Sequence, residues 1–372
     1  MKKLIFFAAA IIVILALVLA AFILPPAAPA KTSISVGALL PLTGKNASYG
    51  LEIQNGIELA RGEINSAGGI NGKELEVIYE DDAADPAVGV NGMQKLAEVD
   101  KVPIVMGSWS SGVVLAVAPI AEKNKVTMLA EAISPDITNA GDYIFRIHPS
   151  AVYYTKVSVD YLVGKKINTA SVLYSNTAFG KSLSDAFVKK FEESGGKILL
   201  VESYNPSDTD YKSVLNKIKQ SSPEALFVPG YQEVLDIIKQ ATENDINSLI
   251  LATPTFESPS TIPKLGALAE KVVYPHIYSS DMNEPKIIAF ERKYFDKYGV
   301  EITGFAHSMY DGTYILADIL KKCDTNRECI KENMYKTDYD GVSGRIQFDS
   351  SGDPLIKIIM KTVRGGKFVS AE

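Results

Sequence analysis

Beyond residue 31 the chain alternates short apolar runs with longer segments whose apolar residues recur every three or four positions. Ile34–Leu40, Leu75–Glu80, Val102–Met106 and Val126–Leu129 are short and rich in aliphatic residues, as parallel strands covered on both faces are. Between the first two, Ile53, Ile57, Ala60 and Ile64 fall on one face of a helix. Gly68-Gly69 ends that helix and Asn71-Gly72 turns into the next strand. Strand and helix in alternation predict an α/β fold with a doubly wound parallel sheet.

A second set repeats the plan. Thr169–Tyr174, Lys197–Val201, Ala225–Val228 and Ser248–Ala252 read as strands, with Leu183, Phe187 and Phe191 on one helical face. Tyr49-Gly50 opens a helix in the first set and Phe179-Gly180 opens one in the second; each helix ends in a glycine pair followed by a strand. Two lobes of like topology, with strand ends and helix starts at a shared cleft, account for the pattern, although any two βαβ units share some of it. The tail predicts helices over Pro285–Tyr298 and Ala306–Lys321. An edge hairpin should then join Gly344–Phe348 to Ile356–Thr362 around Ser350-Ser351-Gly352-Asp353.

Composition narrows the function classes. With 372 residues, 47% hydrophobic, the chain can bury more than one core, and a net charge of −6 argues against a nucleic-acid partner. The first thirty residues stand apart: Lys2-Lys3, the apolar run Leu4–Leu24 and small residues at Ala28 and Ala30 suit a cleaved signal peptide. The run is also long enough for a retained membrane anchor; either way Lys31 onward lies outside the cytoplasm. The two cysteines, Cys323 and Cys329, would sit roughly 9 Å apart along a continuous helix. A break at the turn-prone Asp324-Thr325-Asn326 would let them bridge, and an oxidising compartment favours that disulfide. The histidines His148, His276 and His307 show no metal-ligand spacing, so no metal or cofactor is expected. The sequence carries no nucleophile elbow, dinucleotide fingerprint or zinc-protease motif, so an enzyme is not expected.

Several phrases in order resemble a known family: Gly37-Ala38-Leu39-Leu40-Pro41-Leu42-Thr43-Gly44, Gly68-Gly69-Ile70-Asn71-Gly72, Asp81-Asp82, Met106-Gly107, Ala118-Pro119-Ile120, Tyr143-Ile144-Phe145-Arg146 and Tyr339-Asp340-Gly341-Val342-Ser343-Gly344. Across 33–368 the chain resembles the type I periplasmic binding proteins, within them the leucine/isoleucine/valine-binding group. The resemblance implies two doubly wound lobes joined by a three-segment hinge, crossing near Pro149, Ser279 and Asp340. One lobe would comprise 33–149 plus 279–338, the other 150–278 plus 339–368. It also implies a monomer that closes on a small carboxylate ligand and docks on the permease subunits of an ABC importer. A soluble ligand sensor acting through a partner receptor is the alternative.

By the same resemblance, Ser111 matches a serine that donates to the ligand carboxylate. The other reading is that Ser110 and Ser111 only cap a helix beginning near Gly112. Tyr49 and Tyr231 match tyrosines lining or closing the pocket, and Trp109 shares the Ser111 loop. Three departures stand out. Ile133, beside Ser134, replaces a family threonine, and Thr255 stands where the group has a glutamate that pairs with the ligand ammonium; Phe179 replaces a tyrosine. Either Glu131 or Glu257 supplies the missing partner, or the ligand is an ammonium-free carboxylate with an apolar or aromatic body.

Overall fold

The computed structural model describes residues 32–258, 260–277, 284–300, 302 and 304–371. The N-terminal segment and the expected crossing near Ser279 lie outside them.

The first sheet contains β1 (Ser33–Leu40), β2 (Glu74–Asp81), β3 (Ile104–Gly107), β4 (Thr127–Ala130) and β5 (Ile144–Arg146). They lie in the order β2-β1-β3-β4-β5, all parallel. The helices α1 (Ala47–Ser66), α2 (Pro86–Gln94) and α3 (Ser111–Asn124) make its crossovers. Successive residues of β1 serve different faces: Val36, Ala38 and Leu40 join the core over α1, whereas Leu39 joins the core over α2 and α3. A strand buried on both sides has no polar alternation, which is why it reads as a solid apolar run.

The second sheet begins after α4 (Ala151–Gly164). It contains β6 (Thr169–Ser175), β7 (Lys197–Tyr204), β8 (Ala225–Phe227), β9 (Leu249–Leu251) and β10 (Val272–His276). Their order, β7-β6-β8-β9-β10, repeats that of the first sheet strand for strand. The helices α5 (Ala178–Glu193), α6 (Lys212–Ser221) and α7 (Val234–Glu243) connect them, and the short α8 (Thr261–Leu265) precedes β10. The repeated aromatic-glycine pair has a shared steric cause. A Cβ on Gly50 would lie 2.0 Å from the Pro41 carbonyl oxygen, and one on Gly180 would lie 2.1 Å from that of Ser175. In each lobe the helix start is pressed against the end of the preceding strand, where only glycine fits.

The chain then returns to the first lobe. There α9 (Pro285–Tyr298) and α10 (Phe305–Cys323) pack on α1, and α11 (Arg327–Met334) follows. The helix breaks where turn residues stand: Asp324 has φ +49° and the Asn326 side chain caps α11 at Cys329 N–H. The break brings the Cα atoms of Cys323 and Cys329 to 5.6 Å and they are joined as a disulfide.

The tail corrects one expectation. Gly344–Phe348 does not pair with Ile356–Thr362. Instead β11 (Asp338–Gly341) and β12 (Gly344–Gln347) form one hairpin, while β13 (Ile359–Arg364) pairs antiparallel with β10 and with β14 (Lys367–Ser370). The tight turns sit at Val342-Ser343 and Gly365-Gly366, and the longer Ser350–Asp353 turn docks on β5, where Arg146 N–H donates to Gly352 O. Strand β10 itself gave no clear signal, because Pro275 interrupts its apolar run. No helix among the described residues is long and apolar enough to cross a membrane.

Candidate functional site

The carboxyl ends of both parallel sheets face one cleft, where open α/β sheets place their ligand sites. Trp109 follows β3 by two residues, Glu131 follows β4 by one and His148 follows β5 by two. Phe179, Tyr231 and Thr255 stand just beyond β6, β8 and β9. Together with Ala132, Ile133, Pro254 and Phe305 they line a small cavity of about 20 Å³. That is room for about one water, far below the ~300–1,000 Å³ of a small-molecule pocket, so the two walls nearly meet.

Aromatic rings close the cleft from both lobes. Trp109 stacks on Tyr49 at 4.3 Å between ring centroids and meets Tyr231 of the second lobe at 4.7 Å. Tyr231 in turn stacks on Phe179 at 4.6 Å. Tyr49 also ties the lobes by hydrogen bonds. Its hydroxyl donates to Thr255 O at 2.8 Å and accepts from Gln232 Nε2 at 2.8 Å. Burial pushes that phenol well above its ordinary range, so it stays neutral.

The polar end of the cavity is a buried relay in the first lobe. His148 Nε2 lies 2.7 Å from Glu131 Oε2, and Ser308 of α10 donates to Glu131 Oε1 at 2.7 Å. The other ring nitrogen, Nδ1, lies 3.1 Å from the Tyr154 hydroxyl. His148 Nε2 also lies 3.2 Å from the Ser308 hydroxyl, and Glu131 Oε2 accepts no hydrogen bond among the described residues. Sequence spacing concealed this pair because 17 positions separate Glu131 from His148. Their places at the ends of adjacent strands were the available signal.

The remaining candidates divide. Ser111 opens α3 and is buried; its Oγ accepts from Ser134 N–H at 3.3 Å, while the Ser134 hydroxyl is buried without a hydrogen-bond partner. Neither serine is on the cavity wall. Ser110 precedes the helix but makes no side-chain cap, so the capping reading does not describe it. Thr255 lines the cavity, yet its hydroxyl is committed within its own lobe to Gly230 O at 2.7 Å. Glu257 is corrected outright as an ammonium partner. It is buried against Lys361 Nζ at 2.6 Å and the Tyr274 hydroxyl at 2.6 Å, away from the cavity wall. Burial pushes its carboxyl up, opposed by the Lys361 charge. Sequence reasoning passed over Phe305, Pro254 and Ser308, which come from segments distant in the chain.

Residues 33–357 match the periplasmic binding protein family. The chain belongs to that family. Among periplasmic binding proteins, a Leu/Ile/Val-binding protein homolog of Brucella abortus is 28% identical over 333 residues, covering 88% of this chain and 89% of its own. A branched-chain amino acid transporter substrate binding protein of Streptococcus pneumoniae, solved with isoleucine, superposes with a TM-score of 0.85 at 29% identity. It covers 92% of this chain and 99% of its own. A solute binding protein of an ABC transporter from Rhodopseudomonas palustris, solved with 3,4-dihydroxybenzoic acid, superposes with a TM-score of 0.82 at 26% identity. It covers 91% of this chain and 96% of its own.

Proposed function

We propose that this periplasmic binding protein is the exported substrate-binding component of an ABC importer, closing two lobes on a small carboxylate-bearing ligand. The observation that carries the reading is the cavity itself, walled by Trp109, Glu131 and His148 from one sheet and by Phe179, Tyr231 and Thr255 from the other. A cavity built half from each lobe binds most tightly when the lobes meet, so ligand and closure are coupled. The ligand carboxylate would be held near the start of α3. There the Ser111 hydroxyl accepts from Ser134 N–H and keeps its own hydrogen to donate, and the unpartnered Ser134 hydroxyl offers a second. The lobes would comprise 33–149 plus 279–338 and 150–278 plus 339–368, crossing near Pro149, Ser279 and Asp340. The chain would act as a monomer that docks on permease subunits, with residues 1–30 directing export or anchoring it; catalysis is no part of this reading.

The test is a thermal-shift and fluorescence panel of small carboxylates on the full chain after unfolding and refolding to remove carried ligand. Trp109 is the only tryptophan in the sequence and stands in the cavity wall, so closure should change its emission. A ligand at 100 times its dissociation constant stabilises by about 2.7 kcal/mol. Folded protein that responds to no small carboxylate would sink the proposal.

A further inference from the structure

Resting on the carboxylate-binding reading, we infer that Asp82 is a positioning residue for the ligand loop. Through the Ser108 hydroxyl it fixes Trp109–Ser111, the stretch that carries an aromatic wall of the cavity and the expected carboxylate donor. Asp81 and Asp82 look alike in the sequence, and the fold separates them. Asp81 Oδ1 accepts from the Leu42 and Ala83 N–H groups at 2.8 and 2.9 Å, closing the turn after β1. Asp82 is fully buried, and its backbone is held on both sides, by Leu40 O at 2.9 Å and by Asp85 N–H at 2.8 Å. Its Oδ2 accepts from Ser108 Oγ at 2.5 Å, and Ser108 Oγ accepts in turn from Ser110 N–H at 3.2 Å. That second bond spans Trp109. The Ser108 carbonyl accepts from Glu131 N–H at 3.1 Å, so one buried serine ties together the chain leaving β2, β3 and β4.

Only the carboxylate form of Asp82 completes this chain. Both oxygens accept, Oδ1 from Ala84 N–H at 2.7 Å and Oδ2 from Ser108. A proton on Oδ1 would confront the Ala84 N–H; one on Oδ2 would reverse the bond and leave the Ser108 hydrogen without its acceptor. Burial pushes the carboxyl up to about 6, opposed by the bonds from Ser108 and Ala84 and reinforced by the Asp81 charge. The elements packed around it contribute little charge. No titratable side chain occurs in β1, β3 or α2, Asp85 caps α2, and α3 has only Glu122 and Lys123, near its far end. The folded chain holds the Asp82 proton more tightly than the unfolded one. That stabilisation is full below the ordinary carboxylate value of about 4 and is lost as pH rises through about 6. Ionised Asp82 thus costs stability while it holds the loop, so the two effects can be measured apart.

Trp109 is the only tryptophan in the sequence, so its emission in the refolded, ligand-free full chain reports on the loop directly. The emission should titrate with a midpoint near pH 6. The transition should vanish in Asp82→Asn, and also in Ser108→Ala, which leaves Asp82 ionisable but unhooks the loop from it. A transition retained in Asp82→Asn would belong to another group, such as His148 in the cavity wall, and would overturn the assignment. One retained in Ser108→Ala would overturn the route through Ser108. Urea melts at pH 8 should find Asp82→Asn no less stable than wild type, which separates the loop effect from folding. For a carboxylate that binds, each variant should weaken affinity about tenfold at pH 8 by calorimetry, and the double variant no more than either alone. Unchanged affinity, or losses that add, would overturn the inference. A panel in which nothing binds would sink the carboxylate reading, whereas the Trp109 titration judges Asp82 without any ligand.

Discussion

Asp353→Ala removes one side of a buried ion pair that braces the cavity loop. Arg146, the last residue of β5, donates from Nε and Nη2 to the two Asp353 oxygens at 2.5 and 2.6 Å, and from Nη1 to Ser134 O at 2.7 Å. The side chains are 1% and 8% exposed. Alanine removes two charge-assisted hydrogen bonds and leaves the guanidinium without its counter-charge where water cannot reach it. One-sided loss of such a pair costs about 3–5 kcal/mol, a large part of the ~5–15 kcal/mol that holds a typical domain folded. In urea, at a slope of about 2 kcal/mol per molar, the midpoint should fall by about 1.5 M or more. Trp109 fluorescence and circular dichroism would follow the transition. Asp353→Asn, which retains one acceptor and the shape, should lie between wild type and alanine. Arg146→Leu combined with Asp353→Leu should recover much of the loss, because neither charge remains buried alone. An Asp353→Ala midpoint within about 0.5 M of wild type would refute the argument, being worth only ~1 kcal/mol. Because Arg146 also fixes the loop bearing Ile133 and Ser134, ligand affinity should fall along with stability.

Tyr49→Phe loses the hydroxyl that joins Thr255 O and Gln232 across the cleft; ligand affinity should drop about five- to tenfold by calorimetry with the urea midpoint nearly unchanged. Replacing Cys323 and Cys329 by serine together should lower stability by about 2 kcal/mol, as for opening so short a loop, and leave ligand binding intact. Glu257→Gln should cost stability through Lys361 yet leave the ligand dissociation constant within about twofold by calorimetry. Asp311 of α10 accepts from Val342 and Ser343 N–H at the β11–β12 turn, and burial pushes its carboxyl up to about 7. The folded chain thus holds that proton more tightly than the unfolded one. The contribution is full below the ordinary carboxylate value of about 4 and is lost as pH rises through about 7. Urea profiles should show wild type losing stability relative to Asp311→Asn across that window, and parallel profiles would contradict the assignment.

Local patterning was enough for much of the architecture. Buried parallel strands such as Ile34–Leu40 are apolar at every position, and helix faces such as Ile53, Ile57, Ala60 and Ile64 keep their period, so both are legible without any partner. The aromatic-glycine pairs at Tyr49-Gly50 and Phe179-Gly180 announced the repeated topology because a backbone contact admits only glycine there. Strand pairing in the tail was not legible: β10 and β13 are partners far apart along the chain, and which of two nearby turns closes a hairpin depends on what the sheet edge already offers.

At the site, the family resemblance singled out Phe179 and Tyr231, and Trp109 and Glu131 stood out by their loops; all four line the cavity, two from each sheet. What sequence could not separate was Glu131 from Glu257. Both are acidic residues just past a lobe's strands, and each looks equally available on paper. Only the fold brings Lys361 and Tyr274 against one carboxylate, and His148, Ser308 and the cavity against the other. Composition and periodicity decide what can be buried, because they act along a few turns of chain. Which buried charge meets which partner is decided by contacts between distant segments, and those exist only in the folded molecule.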